Sequence, residues 1–182
     1  RCGLHDLGLT VSTGRVVDFR AIPFLRRAPD DNTVPLIYPF NLEDGLVIWP
    51  KGHLKKPTAI VASESTKDLL VPSEYYVLVK RFSAKEERRR IVAAIYDPLS
   101  IPHAYVGFEN HLNYFHVKGR GLPVALARGL AAYLNSTFAD SYFRNFNGHT
   151  QVNAQDLRRL KYPTLGQLLE LGERDRKSTR LN

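Results

Sequence analysis

The chain has 182 residues, of which 43% are hydrophobic and 24% are charged, and its net charge is +8 at pH 7. These values are typical of a globular chain with one core and exclude a disordered one. No run approaches the roughly 18–20 uncharged apolar residues of a membrane helix, so we expect no membrane partner. A single cysteine excludes an internal disulfide framework and is compatible with the reducing cytoplasm, where we expect the protein to reside.

The positive charge is concentrated in the second part of the chain. Residues 1–79 carry nine basic and nine acidic side chains, whereas residues 80–182 carry 17 basic and nine acidic ones. Such an asymmetry favours a polyanionic partner on one face of the molecule, with a solvated basic surface as the alternative. The sequence also begins at Arg1 and contains no methionine. We therefore expect it to be a fragment of a longer protein.

The first half of the chain predicts a series of short strands. Its runs are rich in β-branched and aromatic residues and are separated by Gly or Pro. Pro35 and Pro39 lie inside one run and place it at a sheet edge or in an extended loop. The predicted strands are residues 15–19, 34–40, 46–49, 58–62, 74–82, 91–96, 104–108 and 112–117.

A charged turn separates the runs 74–82 and 91–96, and the two runs predict a hairpin. The alternative is a helix from Ala84, because residues 83–86 match a capping box.

The second half changes to a helical period. Apolar residues recur every four positions, at Leu122, Leu126, Leu130, Leu134, Phe138, Tyr142 and Phe146. Four residues advance by about 400°, so this stripe drifts around a straight helix, and we expect a break. Ser136 can cap a second helix there. The stretch 147–148 ends that helix, and a short helix over residues 154–160 follows, capped by Asn153 and stopped by Pro163.

These patterns predict an α+β fold. A strand-rich N-terminal half with a mixed sheet carries the helices of the C-terminal half packed on it. Residues 1–172 form one domain, and the polar residues 173–182 form a disordered tail.

The sequence shows no motif of enzyme chemistry. GxGxxG, Walker, CxxC, HExxH and GxSxG patterns are all missing, so we assign no catalytic, cofactor or metal residue to this chain. A metal-dependent DNA endonuclease is the alternative enzyme class, because residues 110–116 superficially resemble a His-Asn-His arrangement. The paired acidic ligands that hold its cation are not visible at suitable spacing.

Two segments have the composition of a DNA-binding surface. Residues 80–90 hold six cations and two anions, which suit phosphates, although a solvated turn is the alternative. Residues 147–153 form a polar loop whose Asn and Gln side chains can pair with adenine edges, although a helix-capping loop is the alternative. Residues 12–15, with a predicted turn at Gly14, and the polar break at 109–111 are further candidates. The predicted DNA-contacting residues are Lys80, Arg81, Ser83, Lys85, Arg88, Arg89, Arg90, Asn110, His111, Asn147, His149, Thr150, Gln151 and Asn153, with Ser12, Thr13 and Arg15 as a secondary group.

An ordered set of segments resembles one known family. The segments are residues 8–20, the basic stretch 80–83, the stretch 133–138, and the run from Asn147 to Pro163. Together they resemble the C-terminal target-recognition (TaqI-like specificity) domain of type II restriction-modification adenine-specific DNA methyltransferases. The resemblance covers residues 4–172.

This resemblance implies a division of labour. The parent enzyme would transfer a methyl group from S-adenosylmethionine to the exocyclic amino group of adenine, after flipping that base out of the duplex. The catalytic and cofactor motifs of such enzymes do not occur in this sequence. The resemblance therefore implies that this chain binds double-stranded DNA, that its other partner is a catalytic domain of the same polypeptide, and that S-adenosylmethionine belongs to that domain.

Overall fold

The computed structural model describes residues 1–53, 55–83 and 87–180. Its helices are α1 (Asp18–Ala21), α2 (Val124–Leu134), α3 (Thr137–Phe146), α4 (Ala154–Arg159) and α5 (Leu165–Arg180). Its strands are β1 (Thr10–Thr13), β2 (Leu25–Arg26), β3 (Thr33–Ile37), β4 (Leu42–Glu43), β5 (Leu46–Val47), β6 (Ala59–Val61), β7 (Leu70–Pro72), β8 (Tyr76–Lys80), β9 (Ala93–Tyr96), β10 (Tyr105–Phe108) and β11 (Leu112–His116).

The strands form two mixed sheets. One has the order β1-β11-β8-β9-β5-β4, and the other has the order β2-β6-β3-β10-β7. Most neighbours are antiparallel, but β5 runs parallel to β9, and β3 runs parallel to β10. The predicted α+β class with a mixed sheet is confirmed.

Strand β8 shows how the layers are built. Its alternate residues point to opposite faces of the six-stranded sheet, as the period of two in a strand requires. Val77 and Val79 face a core shared with the C-terminal helices. Tyr76 and Leu78 face a second core that also contains residues of the five-stranded sheet. The six-stranded sheet is therefore the middle layer, with the helices on one side and the smaller sheet on the other.

The predicted hairpin is confirmed, because β8 and β9 pair antiparallel with Val79 opposite Ala93. Residues 84–86, on which the helical alternative depends, lie outside the described residues. The prediction of a strand over 15–19 is wrong. Within it Val16 makes a single bridge to Glu109, and α1 begins at Asp18.

The edge position predicted for the proline-containing strand is also wrong. Strand β3 lies between β6 and β10 in its sheet. Pro35 is tolerated there because the pairing with β10 involves only Leu36 and Ile37, so the missing N–H of the proline interrupts no ladder bond on that side. Pro39 lies outside the strand and begins a short 3-10 turn.

The predicted break between the long helices is confirmed. Helix α2 ends at Leu134, and the Ser136 side chain caps α3 by accepting a hydrogen bond from the Ala139 amide. Helix α3 ends at Phe146, and Asn153 forms a capping box with Asp156 at the start of α4. The local signals for these boundaries were therefore sufficient.

The sequence did not predict α5. This helix continues to Arg180, so residues 173–180 are helical in the structure, whereas we expected a disordered tail. Its buried face depends on close packing with α2. A Cβ built on Gly129 would lie 1.8 Å from the Leu168 carbonyl oxygen, and one on Gly172 would lie 2.0 Å from the Ala125 carbonyl oxygen. The two backbones touch because neither glycine carries a side chain.

Across the described residues, no helix combines the length and the apolar character needed to cross a bilayer.

Candidate nucleic-acid interface

One end of the six-stranded sheet collects the segments that we predicted from composition. Thr13 is opposite Asn113, Leu112 is opposite Lys80, and the next pair along is Val79 with Ala93. The end of β1, the start of β11, the end of β8 and the start of β9 therefore lie side by side. We call this end, with residues 12–15, 80–83, 109–111 and 149–152, the polar edge.

The polar loop pairs directly with the stretch that follows β8. Phe82 and Gln151 form an antiparallel bridge. The Val152 amide donates to the Arg81 carbonyl oxygen at 2.7 Å, and the Ser83 amide donates to the Thr150 carbonyl oxygen at 3.3 Å. Segments that are about 70 residues apart in sequence thus form one surface.

Arg90 fastens these two segments together from inside. Its guanidinium donates to the Ser83 hydroxyl at 3.3 Å and to the His149 carbonyl oxygen, and it lies over the Phe143 ring at 5.9 Å from the centroid. Arg90 is 4% exposed, and Ser83 is equally buried. We had predicted both as DNA contacts; the structure instead shows them satisfied within the protein.

Asp140 on α3 holds the main chain of Arg90. Its carboxylate accepts the Arg90 amide at 2.6 Å and the Arg144 guanidinium at 2.8 Å. Burial alone raises the pKa of this carboxyl group, but the hydrogen bonds from Arg144 and from the Arg90 amide outweigh it, and the net shift is downwards. Asp140 therefore stays ionised and fixes the segment that precedes β9 to α3.

Two of the predicted contacts in the polar loop also have structural roles. Asn147 is buried, donates to the Gln151 carbonyl oxygen at 3.1 Å and accepts the His149 amide at 2.7 Å. Asn153 caps α4. For these two residues the structure supports the alternative of a capping loop. The side chains of His149 and Thr150 are exposed and that of Gln151 is partly exposed.

The turn between β10 and β11 joins the same surface. The Arg81 amide donates to the His111 carbonyl oxygen at 2.9 Å, and the Arg81 guanidinium donates to the Asn110 carbonyl oxygen at 3.1 Å. The His111 ring is exposed, and its Nδ1 is hydrogen bonded to the buried carboxylate of Glu109. That bond directs Nε2 of His111 away from Glu109.

The secondary group lies along the neighbouring edge strand. Thr13 donates to the Asn113 side chain at 3.4 Å, and Asn113 donates to the Val152 carbonyl oxygen at 2.7 Å, which ties β1 and β11 to the polar loop. Arg15 is exposed, with its guanidinium 3.4 Å from the Asp68 carbonyl oxygen. Gly14, where we predicted a turn, serves a close approach instead, because its Cβ would lie 2.2 Å from the Glu109 carbonyl oxygen.

Ser12 is bonded to His116. The Gly119 amide donates to Nδ1 of His116 at 2.8 Å, so the proton of the neutral ring lies on Nε2 and is donated to the Ser12 hydroxyl oxygen, also at 2.8 Å. Burial lowers the pKa of His116, and the charge of Arg15 adds to this effect. The ring is therefore held neutral at pH 7.

Exposed or partly exposed cations remain on and beside the polar edge. Arg88 is exposed, and Lys80, Arg81 and Arg89 are partly exposed. Lys85 lies outside the described residues. Within the described part of the chain, no group of three His, Cys, Asp or Glu side chains is placed to hold a metal ion.

Sequence reasoning missed Phe82. Its side chain is 42% exposed at the centre of the polar edge, between Arg81 and His111. The available signal was an aromatic residue at the end of a predicted strand, within a basic stretch.

Known proteins with a similar sequence belong to the same enzyme class as the family that the chain resembles. No protein-family model matches the chain. It is 52% identical over 170 residues to type II methyltransferase M.PstI of Providencia stuartii, and 51% identical over 170 residues to type II methyltransferase M.BsuBI of Bacillus subtilis. Each alignment covers 93% of this chain but 34% of the relative, so the chain spans about a third of the length of the curated relatives it matches. Homologues of this chain are thus type II methyltransferases.

Proposed function

We propose, from the similarity to two type II methyltransferases, that this chain is the target-recognition part of an adenine-specific DNA methyltransferase of a restriction-modification system. The observation that carries this proposal is that four polar or basic segments meet at one end of the six-stranded sheet, the polar edge. Such an edge offers cations for phosphates and amide, hydroxyl and imidazole groups for base edges. The proposal assigns the chain to the TaqI-like specificity domains.

The proposed division of labour assigns chemistry to another part of the polypeptide. A catalytic domain of the same chain would bind S-adenosylmethionine and methylate the adenine amino group, in the bacterial cytoplasm. The part described here would hold double-stranded DNA and select the site. Its 34% share of the relatives' length leaves room for that second domain.

Two kinds of contact are expected at the polar edge and in the basic stretch beside it. Lys80, Arg81, Arg88 and Arg89 neutralise phosphates, which gives affinity without sequence information. The exposed groups of Thr150 and Gln151 are candidates for reading base edges, because Gln can pair with the N6 and N7 positions of adenine. Arg90 and Asn147 support these residues rather than touching DNA.

The test is duplex DNA binding by the full chain to a random-sequence pool, measured from about 50 to about 200 mM salt with and without magnesium. We expect binding that weakens steeply with salt, enriches one short motif and leaves the DNA uncut. Magnesium-dependent cleavage would instead establish the endonuclease alternative. Failure to bind any duplex would contradict the proposal.

A further inference from the structure

An exposed phenylalanine at the centre of a charged surface is the least expected feature of the polar edge. Phe82 is 42% exposed, although burial of an apolar ring stabilises a protein. Its described ring neighbours are polar. The Arg81 guanidinium lies 5.6 Å from the ring centroid, and the His111 ring lies 5.3 Å away at an interplanar angle of 46°. The neighbours of the Phe82 ring are thus groups that can also contact nucleic acid.

The main chain around Phe82 is fixed on two sides. Arg81 is bonded through its amide to His111 and through its carbonyl oxygen to Val152. On the following residue, the Ser83 amide is bonded to Thr150, and Phe82 itself bridges Gln151. Since these bonds hold both flanking peptides, the main chain that carries the exposed ring is fixed in place.

Two other exposed aromatic residues, both on α3, differ from Phe82 in their surroundings. Phe138 on α3 lies under the Arg1 guanidinium and beside the Tyr133 ring. Phe146 packs against Tyr142 and Phe143. These rings extend an apolar cluster of the helical layer, whereas Phe82 stands among the segments of the polar edge.

We propose that Phe82 is a stacking wedge, which enters the DNA at one base step and stacks on an exposed base while the surrounding cations bind phosphates. The proposal rests on the proposed function and deepens it. Apolar side chains on basic surfaces can open a base step in this way, and stacking on an aromatic ring tolerates any base because every base has a π-face. The wedge would therefore contribute affinity and DNA distortion, with Gln151 and Thr150 beside it for sequence reading.

The test uses the duplex motif enriched from the random pool, with 2-aminopurine placed at each position in turn. The fluorescence of this base rises when its stacking is broken. For the unaltered chain we expect a several-fold rise at positions flanking one step. For Phe82→Ala we expect that rise to vanish and affinity to fall by about tenfold or more. Phe82→Trp should recover most of the affinity.

Phe138→Ala is the matched control, because Phe138 is 48% exposed and belongs to the helical layer. It should behave like the unaltered chain in both measurements, and thermal unfolding should confirm that every variant folds. Two outcomes would overturn the wedge but leave the proposed function intact. The fluorescence rise could persist in Phe82→Ala, or the unaltered chain could bind the motif without any rise. Failure of the unaltered chain to bind duplex DNA would overturn the proposed function and the wedge together.

Discussion

Neighbouring arginines in one basic stretch have different tasks. Arg88 is exposed, whereas Arg90, two residues later, is buried between Ser83, His149 and Phe143. Composition alone treats these residues as equivalent cations. Burial separates them, because an enclosed guanidinium needs protein acceptors and cannot reach a phosphate.

We predict that Arg90→Ala destabilises the protein by about 2 kcal/mol, because it removes hydrogen bonds made by a charged group and leaves buried acceptors unpaired. Urea unfolding measures the change. Arg89→Ala, at a partly exposed neighbour, is the control and should cost less than about 0.5 kcal/mol. Equal effects of the two substitutions would contradict the role of Arg90 as a clamp.

His116 predicts a pH dependence of stability. The pKa of His116 in the folded protein is lowered below the ordinary value of 6.5. As the solution is acidified, the unfolded chain therefore binds more protons than the folded protein does. The stability that the neutral His116 ring provides is fully present above pH 6.5 and is lost as the pH falls below that value. Between about pH 7.5 and about pH 5.5 we therefore expect the free energy of unfolding to fall less in His116→Gln than in the unaltered chain.

Urea unfolding at several pH values in that window provides the measurement. Ser12→Ala is the control, since it removes the hydroxyl at Nε2 but keeps a titratable, buried ring. It should keep the pH dependence of the unaltered chain. The same loss of stability in His116→Gln as in the unaltered chain would show that another group is responsible.

At the scale of elements, glycine determines how two helices meet. Gly129 of α2 and Gly172 of α5 allow backbone contact, whereas a Cβ on Gly166, also in α5, would meet no neighbouring atom within 4 Å. The three glycines are alike in sequence. Only the packing of α5 on α2 distinguishes them.

We predict opposite effects of the same substitution at these positions. Gly129→Ala forces Cβ against the Leu168 carbonyl and should destabilise the protein by about 1–3 kcal/mol. In Gly166→Ala the new Cβ meets open space in the first turn of α5, and this variant should be more stable by about 0.5 kcal/mol because the unfolded chain loses conformational freedom. Thermal or urea unfolding of the two variants decides this, and a stabilising Gly129→Ala would refute the close packing.

Local patterns predicted the elements whose cause is local. The β8–β9 hairpin follows from two β-rich runs, and the break between α2 and α3 follows from the drifting stripe and the Ser136 cap. Helix α5 was missed because its polar C-terminal part shows no apolar stripe and its contact with α2 depends on glycines. Strand β3 was misplaced because a proline's effect depends on which neighbour its missing N–H faces.

The candidate site was predicted as segments but not as side chains. The stretches 80–90 and 147–153 were singled out from charge and polarity, and the structure brings them together. Which of their residues face solvent depends on tertiary contacts. Asn147 and Arg90 are buried, and Phe82 is exposed, against the expectation from residue type.

At the scale of the whole molecule, the structure shows where the excess positive charge of residues 80–182 lies. The basic stretch extends from the polar edge, whereas Arg174 and Lys177 lie on α5, whose C-terminal part is near Tyr75 at the opposite end of β8. If the polar edge binds DNA, cations at these two places must contribute differently to the salt dependence of DNA affinity.

We predict that Arg88→Ala combined with Arg89→Ala reduces the slope of log affinity against log salt by about 2, since each lost phosphate contact lowers it by about 1. The salt series on random duplexes measures the slope. Arg174→Ala combined with Lys177→Ala removes the same charge and should leave the slope nearly unchanged. Equal slope changes in the two double variants would point to diffuse attraction instead of a defined edge.

Several of the bonds that join the segments of the polar edge are bonds between main-chain groups. Arg81 with Val152, Ser83 with Thr150, and Arg81 with His111 are all linked through amides and carbonyls. These bonds do not depend on which side chain is present, so an exposed side chain such as that of Thr150 can change while the loops keep their places. A new target specificity could arise, in evolution or by design, through substitution of exposed residues such as Thr150 and Gln151 without rebuilding the frame that presents them.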